Sequence, residues 1–422
     1  MKIGIVLDDS LRSGGGVQQY VRTLGAWLIK KGHDVKFISG QTEGEIEFKD
    51  RLIEISKNVP LRMNKNELTT PLHPYMKTII KIIKEENFDV LHVQMPYTPL
   101  STQIFLDLAD IPIVGTYHSY ADTFSSNFST GLLSLIQRNQ IKSFYKLITV
   151  SKAAQEFVKL NFNLDSVLIP CMINVNSLKG KNKIEKFTDH KLNILYLGRM
   201  VERKGVIYLL KAYEKLCNEF HIKNMRLMIV GKGSLKPQLE NFVKRHRLSG
   251  VEFVGFVSET DKANYLATAD ICVFPAIEGE SFGIVLLEAM ANSKAIIAGD
   301  NKGYRTVMLN EGSFLLVDTK DIDLFTTKLR VLIENEKLRE IFANWAGEEV
   351  KKYDVEVVGE QILSIYQDAI RKYQKKVKFY QILSPLKLLF SIVFTLLVKI
   401  FLFPKTLYQF FVDRYPSRDD LD

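Results

Sequence analysis

Glu278-Gly279-Glu280-Ser281-Phe282-Gly283-Ile284-Val285-Leu286-Leu287-Glu288-Ala289-Met290-Ala291 is the stretch around which the chain is organised. It follows an apolar strand, Ile271 to Phe274, closed by Pro275. Small and acidic residues make a loop, and from Phe282 the apolar spacing turns helical. That reading puts Glu280 just before a helix N-terminus and Glu288 two turns into the helix. The positive end of a helix attracts anions, and its unpaired N–H groups can hold a phosphate. With a carboxylate on each side to grip sugar hydroxyls, the pattern points to a nucleotide-sugar site.

Two glutamates with seven residues between them, and Phe-Gly after the first, resemble the E-x7-E motif of retaining glycosyltransferases of family four. The resemblance implies an α/β, GT-B fold, two Rossmann-like domains facing across a cleft. It implies that Glu280 contacts the donor sugar and Glu288 the ribose, with Ser281, Phe282 and Gly283 as further donor-binding positions.

At the start of the chain, Ile3 to Leu7 reads as a buried strand, followed by Gly14-Gly15-Gly16 and a helix from Val17 to Lys31. Val35 to Ser39 is the next strand. Strand, glycine loop, helix and strand form a βαβ unit, which predicts a parallel sheet. The glycines let backbone approach a phosphate, and in the resembled family this loop lies under the donor pyrophosphate. Asp89 to Gln94 and Ile113 to His118 are two more strands ending in polar groups, where ligands of parallel sheets gather. Thr116-Tyr117-His118-Ser119 resembles the family stretch whose histidine reaches the donor sugar, a role that falls on His118. His92 and His33 read as structural. Lys146 to Ser151 runs into a further helix that Ser151 can cap. Where the family has an Asn-Gly-Val-Asp turn, this chain has Asn174-Val175-Asn176 and lacks the Gly and Asp.

A second set of strands starts at Leu192 to Leu197 and continues Gly198-Arg199-Met200-Val201-Glu202-Arg203-Lys204-Gly205. Arg199 at a strand end and Lys204 at the next helix start can converge on one diphosphate, and the family uses these positions so. Charge-assisted hydrogen bonds of that type contribute about 1.5–3 kcal/mol each. Strands are expected at Arg226 to Val230, Val251 to Val257, Ala295 to Ala298 and Phe314 to Val317. Asp321-Ile322-Asp323 imitates a metal-binding D-x-D motif but sits at a helix start, where acidic residues cap. No metal and no cofactor are expected. The donor, UDP- or GDP-linked, is a substrate.

A chain of 422 residues calls for more than one core. The reading divides it into residues 1–175, an acceptor domain; 176–190, a polar linker; 191–350, the nucleotide-sugar domain; 351–373, a helix crossing back; and 374–422, a membrane-associating helical tail. Met1-Lys2 runs straight into a strand, so no signal peptide is expected. Cys171, Cys217 and Cys272 are far apart in apolar settings and fit buried thiols of a cytosolic protein.

The net charge of +9 is concentrated: Arg371 to Lys405 holds eight basic residues and no acidic one. That favours an anionic membrane surface as partner rather than nucleic acid. Ser384-Pro385 opens a new helix, and Leu386 to Phe403 is intensely apolar. Its longest uncharged stretch is eleven residues, short of the about 20 that span a bilayer. Lys387, Ser391, Thr395 and Lys399 are four apart, one polar stripe on an apolar helix. The expectation is a helix lying in the interface, with a bilayer span or a dimerisation helix as alternatives. Tyr120, Phe124, Phe128, Leu132 and Leu133 crowd the region after His118 where an acceptor would enter. His92 to Pro99 loosely resembles phosphatidylinositol mannosyltransferase-like enzymes.

Together these imply a retaining hexosyltransferase acting on a lipid or lipid-linked acceptor at the cytoplasmic face of the membrane, bound peripherally. A soluble or polysaccharide acceptor, a non-catalytic nucleotide-sugar-binding protein and a GT-B epimerase are the alternatives. The family resemblance covers residues 1 to about 373.

Overall fold

Runs of aliphatic side chains with almost no exposure, such as Ile3 to Leu7 and Leu227 to Val230, build one sheet in each half of the chain. The computed structural model describes residues 1–7, 9–12, 15–42, 44, 47–63, 66–74, 76–95, 99–119 and 141–373. Gly14, the aromatic cluster Tyr120 to Leu133 and the tail 374–422 therefore lie outside the described residues.

The first sheet comprises β1 (Lys2–Leu7), β2 (Asp34–Gly40), β3 (Leu52–Met63), β4 (Asn66–Pro74), β5 (Val90–Met95), β6 (Ile113–Tyr117), β7 (Lys146–Thr149) and β8 (Val167–Leu168). Their order is β4-β3-β2-β1-β5-β6-β7-β8. Every pairing is parallel except β3 with β4, an antiparallel ribbon that no periodicity in the sequence announced. The second sheet comprises β9 (Leu192–Leu197), β10 (Met225–Val230), β11 (Val251–Gly255), β12 (Ile271–Phe274), β13 (Ala295–Gly299) and β14 (Leu316–Val317). It runs β11-β10-β9-β12-β13-β14, all parallel. Each sheet reverses its order beside its first strand, between β1 and β5 and between β9 and β12. Those reversals open the crevices in which open α/β sheets bind ligands.

Helices α1 (Gly16–Lys30), α2 (Met76–Glu85), α3 (Pro99–Leu108) and α4 (Lys152–Phe162) accompany the first sheet. Those of the second are α5 (Val206–Asn218), α6 (Lys236–Arg245), α7 (Glu259–Thr268), α8 (Ile284–Ala291), α9 (Ile322–Glu334) and α10 (Glu336–Glu349). Ser151 caps α4 by accepting from the Ala154 N–H at 3.0 Å, as its position suggested. The last described helix, α11 (Val355–Lys372), packs against the first half. Its Tyr366 hydroxyl meets His92 Nδ1 at 2.6 Å, and Asp368 accepts from the Tyr145 hydroxyl at 3.0 Å.

Three local expectations shift. The strand expected at Phe314 to Val317 is only Leu316–Val317; a 3-10 turn, Asn310–Leu315, precedes it and leaves Phe314 exposed. Helix α8 begins at Ile284, so Glu288 lies in its second turn. The polar stretch after Asn174 is no bare tether. It starts as a helical turn, Val175–Leu178, capped by Asn174, and buries Phe187 against the second half.

Candidate functional site

The loop after β9 is shaped by Gly205. Its φ of +66 admits an L residue only with strain, and a Cβ there would sit 2.0 Å from the Pro275 carbonyl oxygen. Glycine at this point lets the turn Glu202–Lys204 fold directly against the loop that follows β12. Lys204 Nζ consequently reaches Glu280 Oε1 at 2.8 Å, and Arg203 donates to the same oxygen. Burial works to raise the Glu280 pKa, but Lys204 and then Arg203 outweigh it and keep the carboxyl below its usual range. Burial also holds Lys204 below the usual lysine range; Glu280 opposes this, while Arg203 and Arg199 add to it. Arg199, exposed at the end of β9, thus lies within charge range of Lys204. Arg203 and Lys204 thus converge on one carboxylate oxygen, with Arg199 within charge range of Lys204.

Sequence reasoning placed Arg199, Lys204 and Glu280 here and missed Arg203. The signal was present: Glu202-Arg203-Lys204-Gly205 carries a second cation beside the one chosen. Gly283, at φ +111 with the Tyr304 ring 2.7 Å from where a Cβ would be, starts α8 abruptly. Phe282 is buried edge-on against Tyr353, so only its backbone can face a ligand. Ser281 is half-buried in the same turn. Glu288 is buried one turn further, where its Oε1 takes Lys262 Nζ at 2.7 Å and Gln19 Nε2 at 3.2 Å. Burial acts to lower the Lys262 pKa, yet Glu288 and Glu259 carry it above the usual value. Nothing in the spacing of the sequence marked Lys262.

Across the crevice, Gly15 caps α1 and Gly16 starts it. A Cβ on Gly16 would lie 3.1 Å from Ile284 Cδ1, so the first turns of α1 and α8 abut. Both helices offer their positive ends there. Asp9, at the end of β1, accepts from the Ser10 N–H and from Gln18 Nε2, each at 2.6 Å. Burial pushes its carboxyl up to about 6, against those two hydrogen bonds. His118 is buried after β6, its Nε2 donating to Gln94 Oε1 at 2.7 Å and its ring edge-on to Tyr20 at 4.9 Å. Burial first, and His92 second, push its pKa down to about 3, so the ring is neutral at pH 7. His92 is fully buried between Thr116 and Tyr366, a structural histidine as read, likewise pushed to about 3 by burial.

Asp321 accepts from the Leu324 N–H at 3.0 Å and caps α9, while Asp323 pairs with Lys215. Among the described residues, no group of three His, Cys, Asp or Glu is placed to hold a metal ion. Cys171 and Cys272 are buried free thiols and Cys217 is half-buried.

Two Rossmann-like halves, with the charged loops after β9 and β12 meeting where the second sheet reverses, have the architecture of the GT-B fold. Solved structures agree on the fold: a glycosyltransferase from Rickettsia africae superposes with a TM-score of 0.70 at 21% identity, covering 88% of this chain and 99% of that one. HepE of Anabaena, solved in complex with UDP and glucose, superposes at 0.67 with 18% identity over 87% of this chain and 100% of that one. Residues 14–177 match the model of Glycosyltransferase Family 4 and residues 179–349 that of Glycosyl transferases group 1. A phosphatidyl-myo-inositol mannosyltransferase of Mycolicibacterium smegmatis is 31% identical over 372 residues, 87% of this chain and 94% of the relative. One of Propionibacterium freudenreichii is 25% identical over 88% and 96%. The chain belongs to this glycosyltransferase family.

Proposed function

We propose that the protein is a retaining hexosyltransferase that moves a sugar, mannose by the names of its relatives, from a UDP- or GDP-linked donor to a lipid or lipid-linked acceptor. The observation that carries this reading is the cluster of Arg203 and Lys204 on Glu280, with Arg199 within charge range, four residues before the first turn of α8, which abuts that of α1. Arg199 and Lys204 steady the departing diphosphate, and preorganised charge of that sort is usually the largest catalytic contribution. Glu280 and His118 hold the sugar, and Glu288 the ribose. The Nε2–H of His118 is engaged by Gln94, so a neutral ring keeps Nδ1 as an acceptor for a sugar hydroxyl.

Retention follows from attack on the same face from which the phosphate leaves. The anomeric C–O bond to phosphate breaks, the acceptor oxygen closes on the anomeric carbon within the ion pair, and its proton passes to the leaving phosphate. No metal is required, because cationic side chains neutralise the diphosphate. The basic, apolar residues 374–422 hold the enzyme peripherally on the cytoplasmic face, beside a lipid acceptor.

Radiolabelled UDP- and GDP-sugars incubated with total membrane lipid test the reading. Label entering the organic phase from one donor is the expected result. Label that stays in the aqueous phase with every donor, or passes only to polysaccharide, overturns the lipid acceptor.

A further inference from the structure

Gln19 stands on α1, in the first half, yet its side chain ends on a carboxylate of the second half. Its Nε2 donates to Glu288 Oε1 at 3.2 Å, and Lys262 Nζ reaches the same oxygen at 2.7 Å. Beside this bond the first turn of α1 is pressed against the first turn of α8 through Gly16 and Ile284. The far end of α1 is tied to the crossing helix: Trp27 Nε1 donates to Glu356 at 2.9 Å and Lys31 pairs with Glu360 at 2.7 Å. Helix α1 is therefore held at both ends to elements beyond its own sheet, and Gln19 links it to the buried Glu288 of the second half.

The two partners of Glu288 differ in kind. Lys262 lies on α7, in the same half as α8, and accompanies Glu288 however the halves are disposed. Gln19 reaches Glu288 only when the halves are together. A buried carboxylate keeps its direction through its hydrogen-bond partners.

We infer that Gln19 is a positioning residue for the nucleotide donor, orienting Glu288 across the cleft so that the diol-binding carboxylate is complete only in the closed arrangement. The inference rests on Glu288 as the group that binds the ribose. By reciprocity, a donor that needs the oriented carboxylate draws the two halves together.

The full-length protein and four variants, Glu288→Ala, Gln19→Ala, Gln19→Glu and Gln19→Glu with Glu288→Gln, test it. Calorimetric titration with UDP and with GDP, donor KM and kcat, and small-angle X-ray scattering are read for each. Gln19→Ala should raise donor KM roughly tenfold, the lower end for a hydrogen bond to a charged group, with kcat little changed. Alanine suits the helix, and an unchanged melting temperature verifies the fold. Gln19→Glu sets two carboxylates face to face and should enlarge the radius of gyration. The double variant should restore the compact profile, because the pair can bond again with its roles exchanged, while nucleotide binding stays weak. If Glu288→Ala raises KM and Gln19→Ala does not, the inference fails and the ribose reading stands. If Glu288→Ala leaves nucleotide binding unchanged, the ribose reading itself fails and takes the inference with it. A Gln19→Glu profile identical to the parent's also overturns it.

Discussion

Lys204 is nearly enclosed, bonded to Glu280 and crowded by Arg199 and Arg203. Its charge is held in place before any donor arrives, which is the condition for electrostatic catalysis. Arg199→Ala or Lys204→Ala should each cut sugar transfer by about a hundredfold or more, with circular dichroism unaltered. Turnover close to that of the parent in both variants would remove the diphosphate assignment. Glu280→Gln should lower turnover more than Glu288→Gln; the opposite order would mean that the sugar and ribose roles are exchanged. A second prediction concerns His92 and His118, whose folded pKa values near 3 lie below the ordinary 6.5. The unfolded chain binds those protons first, so the stability they contribute is whole above about pH 6.5 and falls as the medium is acidified toward 3. Each histidine should cost about 1.4 kcal/mol per pH unit in that window. Urea midpoints between pH 7.5 and 5 measure the slope. A midpoint that does not move would show that the rings are not buried neutral.

Among the elements, the turn Glu202–Lys204 and helix α8 owe their placement to backbone that only glycine takes easily. Gly205→Ala should push the turn off the Pro275 carbonyl and cost about 2 kcal/mol or more, read as a lower Tm. It should also depress transfer by displacing Lys204; a fully active, equally stable variant would contradict the close approach. At the head of α9 the acidic pair is occupied otherwise, with Asp321 capping and Asp323 paired to Lys215. Asp321→Ala should cost about 1 kcal/mol of stability with transfer unchanged, and excess EDTA should leave turnover as it was. Loss of activity with EDTA, restored by manganese or magnesium, would reverse the reading of this motif.

For the molecule as a whole, α11 ties the halves together, since it starts on the second and ends against Tyr145 and His92 of the first. No described helix is long and apolar enough to cross a membrane. The attachment proposed here belongs to residues 374–422, whose apolar run is preceded by Arg371, Lys372, Lys375, Lys376 and Lys378. Each charge near an anionic leaflet contributes about 1 kcal/mol, and less as salt screens it. Truncation after Tyr373 should yield an enzyme that still cleaves its donor but transfers poorly to acceptor in anionic vesicles. Neutralising the five charges should weaken vesicle sedimentation only in part, and the difference should vanish at high salt. Protease reaching residues beyond Phe403 from outside sealed cells would mean a spanning helix.

What the sequence determined by itself was local. Apolar runs closed by glycine or proline placed most strands to within a residue or two, because the periodicity of burial is written in neighbouring positions. The segments between them already held Arg199, Lys204 and Glu280, with Glu288 in the helix that follows, and chain order alone put those segments at strand ends. Both strands of the antiparallel ribbon, β3 and β4, escaped, since a ribbon without regular alternation leaves no period to read. What only the tertiary structure decided was who meets whom. Arg203 meets Glu280 across 77 residues, Gln19 meets Glu288 across 269, and Tyr366 meets His92 across 274. Such pairs are set by how two sheets and a returning helix pack, and a hydrogen bond between distant residues leaves no mark on the sequence around either one.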